Sequence, residues 1–466
     1  MDCDILIKNA CWVITMDKTR RIIRNGAIAI RGNKIMKVGK SDQLEKEYTA
    51  QKVIDGKNRT VTPGFIESHI HCTQILPRGI GDDCDAPQWL YRVMGTFEPC
   101  ENEEDARNSI KLCHLEMIKS GTTSFLDIGN DYPDVSAEVI GESGLRGGIA
   151  LGVFDQVKSD LLQIHSEWMG SAQKCLDSAE KVVKKWHGAF NGRVMGSFSL
   201  RMHQNSSDEL CKGLKKLADK YHVTLQSHTS YVLATIQACK AKFGMREVKR
   251  YENMGLLDSN FVSVHNCWLD FAEIQRYHEK GVKVVHCPGA SLHGTYGGLS
   301  HGMFPEMLGL GIPVGLGSDS GSAGNFVDVL RCMYLAASCF KDARCDETVM
   351  PAETVMEMGT INGAKTLLIE DKVGSIEEGK LADISIFNLD SPGMRPVNNP
   401  INNLIYSATG ASADTVIVDG KIIMENRRLL TMNEEEIYHH SQKSAEKCLE
   451  QSGLKNVVMP KWPIVY

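Results

Sequence analysis

Between about residues 60 and 375, short apolar runs of strand character alternate with polar, helix-capable stretches, and this alternation constrains the fold more than any other feature. Gly121–Asp127, Val194–Leu200, Val223–His228, Phe261–His265, Val282–His286 and Ile312–Gly317 each read as a strand. Stretches such as Ser207–Tyr221 and Phe271–Gly281 separate them. Repeated β-then-α units of about 25 to 45 residues imply parallel strands joined by crossover helices. About seven or eight such units favour a closed barrel over an open sheet.

The flanks read differently. Gly26–Arg31 runs into the Gly32-Asn33 turn and continues as Lys34–Val38, a hairpin signature; near the C-terminus, Thr415–Met424 repeats it around Asp419-Gly420. Neither block has enough strands for a sheet of its own. The expected fold is therefore α/β: a (β/α)₈ TIM-like barrel over 61–375, with a small β-sandwich formed by the N- and C-terminal segments, 1–60 and 376–432. A C-terminal helix and tail occupy 433–466.

Composition narrows the class. The 466 residues are 42% hydrophobic and 24% charged, with a formal charge of −6, which gives no reason to expect nucleic acid or an anionic membrane as a partner. No run of about 18 apolar residues is present, and Asp2 and Asp4 do not suit a signal peptide. The fifteen cysteines include no C-x-x-C pair and fit reduced, buried thiols. A soluble cytoplasmic protein acting on a small-molecule substrate is expected.

The polar residues on these strands carry the chemistry. His69 and His71 are two apart, so a strand places both imidazoles on one face. His228 and His265 each end a strand, and Asp319 follows the last one. In a parallel barrel the C-terminal strand ends meet at one mouth, where catalytic groups gather. Singly, each of these is more often structural than functional. Jointly, three imidazoles and a carboxylate at such positions make a first shell for zinc, or for iron or cobalt, with room left for water.

Pro63-Gly-Phe-Ile-Glu-Ser-His69-Ile-His71, Val264-His265-Asn-Cys-Trp-Leu269, His286-Cys-Pro288, Gly315-Leu-Gly-Ser-Asp319 and Gly379-Lys-Leu-Ala-Asp383 together resemble the amidohydrolase superfamily. The resemblance covers almost the whole chain. It is closest to the branch containing S-adenosylhomocysteine and methylthioadenosine deaminases and the triazine chlorohydrolases. It implies one divalent metal ion per chain held by His69, His71, His228 and Asp319, zinc foremost, with iron, cobalt or manganese as alternatives. His265 and Asp319 would handle protons and polarise the substrate. Gln74 and Trp89 match pocket positions, and His293, in a loop bordering the site in similar proteins, is a further substrate-binding candidate. A homo-oligomer, dimer or tetramer, is also implied.

Two departures bear on the substrate. The deaminases and several chlorohydrolases of that branch carry a glutamate three residues after the fifth-strand histidine; here the position is Tyr231. A tyrosine, with an ordinary pKa near 10, is a weaker proton donor than a carboxylic acid. Relatives carry a histidine after the fourth strand, where this chain reads Leu200-Arg201-Met202-His203. An Arg201 facing the mouth suits an anionic or carbonyl-bearing substrate. The resemblance favours hydrolytic displacement of an amine or halide from an N-heterocycle. Tyr231 favours hydrolysis of an amide, urea or thiocarbamate bond. A non-catalytic barrel would be expected to lack a ligand, and all four are present.

Overall fold

The computed structural model describes residues 1–156, 170–201, 203–460 and 462–463. The chain opens with β1 (Asp2–Ile14), β2 (Ile22–Arg31), β3 (Lys34–Lys40), β4 (Thr49–Asp55) and β5 (Arg59–Pro63). Gly64 then carries it directly into the barrel. A Cβ there would lie 2.1 Å from Thr123, so the close approach of the two strands admits only glycine.

The barrel strands are β6 (Phe65–Ile70), β7 (Thr122–Asp127), β8 (Arg146–Ile149), β9 (Val194–Gly196), β10 (Phe198–Leu200), β11 (Leu225–Thr229), β12 (Phe261–His265), β13 (Lys283–His286) and β14 (Val314–Leu316). β6 to β9 pair in parallel in sequence order, as do β10 to β14. β9 and β10 are two halves of one bent strand. At the bend, Ser197 N–H donates to Ile149 O at 2.8 Å, and Phe198 N–H to Thr224 O at 2.9 Å, carrying the sheet across. An Ile70–Asp319 bridge joins the last strand to the first and closes eight parallel strands into a cylinder. Helices cover the outer face of these strands and the barrel's own side chains fill the inner one, so both faces are buried and the strands read as near-continuous apolar runs.

The chain returns through β15 (Ile384–Asn388), β16 (Ala413–Val418), β17 (Lys421–Glu425) and β18 (Arg428–Leu429). β15 pairs antiparallel with β5, so the two ends share one nine-stranded sheet, ordered β18-β17-β16-β15-β5-β1-β2-β3, with β4 also paired to β1. Alternation within β1 and β2 decides what each face covers. Ile5, Ile7, Ile28 and Ile30 enter a cluster with Ile384 and Ile386. Leu6, Ala27 and Ala29 pack against Leu44 of the Ser41–Glu47 helix. The β16–β17 turn has Asp419 at φ 51° and Gly420 at φ 73°, the backbone of a tight hairpin. Helix Glu434–Gln451, capped by Asn433, lies along helix Glu103–Lys119, where Asn108 Nδ2 donates to Ser444 Oγ at 3.0 Å.

Candidate metal centre and cavity

Every chemical group singled out on the barrel strands falls at the C-terminal end of its strand, and the closure of the cylinder brings the first and last strands together. The backbone does the positioning. Asp319 N–H donates to His69 O at 3.2 Å, and His71 N–H donates to Asp319 O at 2.8 Å, so the carboxylate is held between the two histidines of β6. Asn266 N–H donates to Thr229 O at 3.0 Å, which aligns His265 with the end of β11. His265 (φ 72°) and Asp319 (φ 71°) both take the left-handed backbone that non-glycine residues rarely adopt. Such strain concentrates at sites whose surroundings over-determine a geometry.

The donor atoms of His69, His71 and His228 lie within 4.8 Å of one another, as do those of His69, His265 and Asp319. Asp319 Oδ1 is 3.6 Å from His69 Nε2 and 3.4 Å from His71 Nε2. His71 Nε2 and His228 Nε2 face each other at 3.3 Å. His228 Nδ1 is 2.6 Å from the carbonyl oxygen of Arg201. A carbonyl can only accept, so Nδ1 carries the proton and Nε2 presents its lone pair inward.

Burial keeps these imidazoles neutral, pushing His69 and His228 down to about 3 and His71 and His265 well below their ordinary value. Neutral imidazole is the metal-binding form. Both ring nitrogens of His69 are buried without a hydrogen-bond partner. Convergent lone pairs and unpaired buried nitrogens are unfavourable unless a cation sits among them. The residues present therefore fit a divalent ion held by His69, His71, His228 and Asp319. His265 Nε2 stands 3.9 Å from Asp319 Oδ2, on the other carboxylate oxygen.

The layer beneath the ligands contains residues that sequence reasoning did not single out. Glu67, fully buried one turn of the pleat below His69, accepts from Ser318 N–H at 2.8 Å and Ser318 Oγ–H at 2.7 Å, tying β6 to the loop that carries Asp319. Burial lifts its carboxyl to about 8. Gln226 Nε2–H donates to Asp127 O at 2.7 Å, and its Oε1 is buried without a hydrogen-bond partner. Both positions lie in strands that read as ordinary barrel sequence. The only signal was a polar residue at an inward-facing register.

Above the cluster is a cavity that opens to solvent at the barrel mouth. Gln74, Trp89, Arg201, Tyr231, His265 and Asp319 all line it. Trp89 Nε1–H donates to Ser322 O at 3.0 Å, which fixes the indole across the mouth. Gln74 Nε2–H donates to Glu98, leaving Gln74 Oε1 buried and unpartnered. The Tyr231 ring packs against Tyr296 (5.5 Å between centroids) and His265 (5.8 Å), and burial raises its hydroxyl to about 12. Tyr296, Leu90 and Met94 complete the wall; the last two lie on a π-helical turn, Leu90–Phe97, a backbone form common at functional sites.

His293 departs from expectation. It does not line the cavity: its Nδ1 is 2.7 Å from Ala323 O and its Nε2 3.3 Å from Asp82 Oδ1, so both nitrogens bind loops together at the rim.

A parallel barrel with histidines from its first and fifth strands and an aspartate after its last, gathered at one mouth, defines a metal-binding hydrolase barrel. Residues 60–423 match the model of the amidohydrolase family, and the chain belongs to that family. It is 32% identical to a 5′-deoxyadenosine deaminase of Methanosarcina mazei over 446 residues, 95% of this chain and 98% of that protein. It is 35% identical to a 5-methylthioadenosine/S-adenosylhomocysteine deaminase of Thermococcus onnurineus over 427 residues, 91% of this chain and 95% of that one. Among solved structures, a zinc-bound adenosine deaminase from Xanthomonas campestris superposes with a TM-score of 0.89 at 23% identity, covering 96% of this chain and 99% of that one. An atrazine chlorohydrolase from Arthrobacter aurescens, complexed with zinc, gives 0.85 at 23% identity, covering 95% and 100%. The chain is thus a hydrolase of the amidohydrolase fold.

Proposed function

We propose that this protein uses one zinc ion per chain to hydrolyse the bond between an electrophilic ring carbon of an N-heterocycle and an amine or halide. The convergence of His69, His71, His228 and Asp319 on one point at the floor of a small cavity carries the reading; the deaminases it resembles over nearly its whole length support the choice of leaving group. A divalent cation in such a donor set supplies Lewis acidity, bringing the pKa of water towards about 7 so that hydroxide is available at neutral pH. Asp319 Oδ2, the oxygen turned towards His265, accepts the proton of the attacking water and returns it to the departing nitrogen. His265 Nε2–H donates to the charge that develops on the substrate as the ring carbon becomes tetrahedral. Trp89, Tyr231 and Tyr296 enclose the flat ring and exclude bulk water.

Tyr231 favours a second reading. Among the described residues that line the cavity there is no carboxylic acid besides Asp319 to protonate a ring nitrogen, and the Tyr231 hydroxyl, raised by burial, is a poor proton donor. Cleavage of an amide, urea or thiocarbamate needs no ring protonation, because Asp319 alone protonates the leaving nitrogen or sulfur. The test loads the protein with zinc and assays ammonia and chloride release from aminated and chlorinated purines, pterins and triazines, with His228→Ala as the blank. Release with the ring intact establishes the first reading. No release from a protein holding its metal, together with amine or thiol release from ureas and thiocarbamates, establishes the second.

A further inference from the structure

Arg201 serves the site twice, through separable parts. Its carbonyl oxygen fixes the tautomer of His228, while its side chain enters the cavity wall. The residue is 4% exposed, yet its guanidinium makes no hydrogen bond and no ion pair among the described residues. The side chain runs against the backbone of the β8 loop, where a Cβ on Gly152 would stand 3.8 Å from both Cδ and Nη1. Its charge is felt at His71, His228, Asp319 and Asp131, but neither carboxylate approaches to ion-pair distance. Asp131 Oδ1 is itself buried and unpartnered, and burial pushes its carboxyl well above the ordinary carboxylate range, towards the neutral acid.

A guanidinium is always charged, and its five donors form a fork matched to two oxygens in a plane. Burying it unpaired is unfavourable, and a ligand that brings the counter-charge relieves that cost. Among the described residues that line the cavity, Asp319 is the one acidic group, and it belongs to the metal cluster; Leu90, Met94 and the two tyrosines carry no charge to pair with the guanidinium. We propose that Arg201 selects an anionic substrate, one that presents a planar oxyanion, a carboxylate or an ionised ring oxygen, to the guanidinium while its reacting carbon faces the metal cluster. The inference rests on the hydrolase reading above and adds the charge of the molecule it acts on.

The test is equilibrium binding by calorimetry to the metal-loaded protein, which does not depend on turnover. Two near-isosteric pairs separate charge from shape: nicotinate against nicotinamide, and barbiturate against uracil, the first member of each being the anion at neutral pH. The wild type is expected to bind at least one anion ten-fold or more tightly than its neutral partner; which pair shows the preference tells a carboxylate from a ring oxyanion. In Arg201→Met the preference falls to two-fold or less, with metal content unchanged because the backbone carbonyl still holds His228. Arg201→Lys restores part of it. Equal binding of anion and neutral partner by the wild type, or no binding of either anion, overturns the proposal. A preference that survives intact in Arg201→Met with its metal retained also overturns it, since the anion then sits on the metal. If Arg201→Met loses metal or fails to fold, Arg201→Lys decides: a preference as strong as wild type counts against the guanidinium, and a weakened one supports it. Metal-dependent release of ammonia or chloride from uncharged heterocycles would leave the hydrolase reading standing while this proposal fails.

Discussion

The two ends of the barrel each bury charge, and they do so in opposite ways. At the N-terminal end, Arg146 at the start of β8 is 3% exposed and meets Asp383 through both Nε–Oδ2 at 2.9 Å and Nη2–Oδ1 at 3.2 Å. Asp419 stands 3.7 Å away and donates its own N–H to Asp383 Oδ1 at 2.7 Å. Every charge there has an opposite neighbour, and the cluster joins the barrel to the terminal sheet. At the mouth, imidazole lone pairs face one another, His69 has two unpaired nitrogens, and Arg201 has no counter-charge at ion-pair distance among the described residues. A satisfied cluster holds a structure together; an unsatisfied one marks where something from outside completes it. Motifs of similar prominence in the sequence thus divide into a scaffold and a site.

Substitution tests that division, beginning with the largest effect. His228→Ala removes a donor from the mouth. Hydrolysis is expected to fall at least about a thousand-fold, equivalent to roughly 4 kcal/mol of barrier, with metal content well below wild type and a near-native far-ultraviolet dichroism spectrum. A variant that kept its metal and its rate would show that the mouth is not the site. At the other end, Arg146→Ala strands two buried carboxylates and should cost about 3–5 kcal/mol in denaturant unfolding. The surviving folded protein should keep its metal and its kcat. A loss of metal instead would mean that the two ends are coupled.

Acid sharpens the same contrast. His69 and His228 are held near 3 when folded, against about 6.5 unfolded, so the unfolded chain binds more protons between those values. Their contribution is complete above about pH 6.5 and is lost as pH falls towards 3, at up to about 1.4 kcal/mol per pH unit for each ring. Metal should leave in the same window, because protonated imidazole cannot ligate. The Arg146 cluster contains no histidine, and a stability curve in which acid unfolding proceeds without metal release would place the weak point elsewhere. The smallest effect is expected from Tyr231→Phe. Loss of one hydroxyl at the cavity wall should lower kcat by about ten-fold or less, near 1.4 kcal/mol, if it donates to the substrate; an unchanged kcat with an unchanged KM would leave the ring as packing alone.

The succession of parallel strands and the terminal hairpins is legible from residue order alone, because hydrophobic periodicity and turn chemistry are local. Residue order also placed the histidines and the aspartate at strand ends, since a strand end is legible from the apolar run before it. What it could not decide was distance between strands far apart in the chain. His69 and Asp319 are 250 residues apart, and only closure of the cylinder, through reciprocal backbone hydrogen bonds between the first and last strands, puts Asp319 between His69 and His71. The same holds for His293, which belongs by sequence to a loop near the site but whose two nitrogens are taken by Asp82 and Ala323. It holds for Glu67 and Gln226, whose roles depend on which way a buried strand faces. It holds most of all for Arg201, whose guanidinium finds no ion-pair partner among the described residues. Side-chain partnership is set by packing in three dimensions, and only the tertiary structure records it.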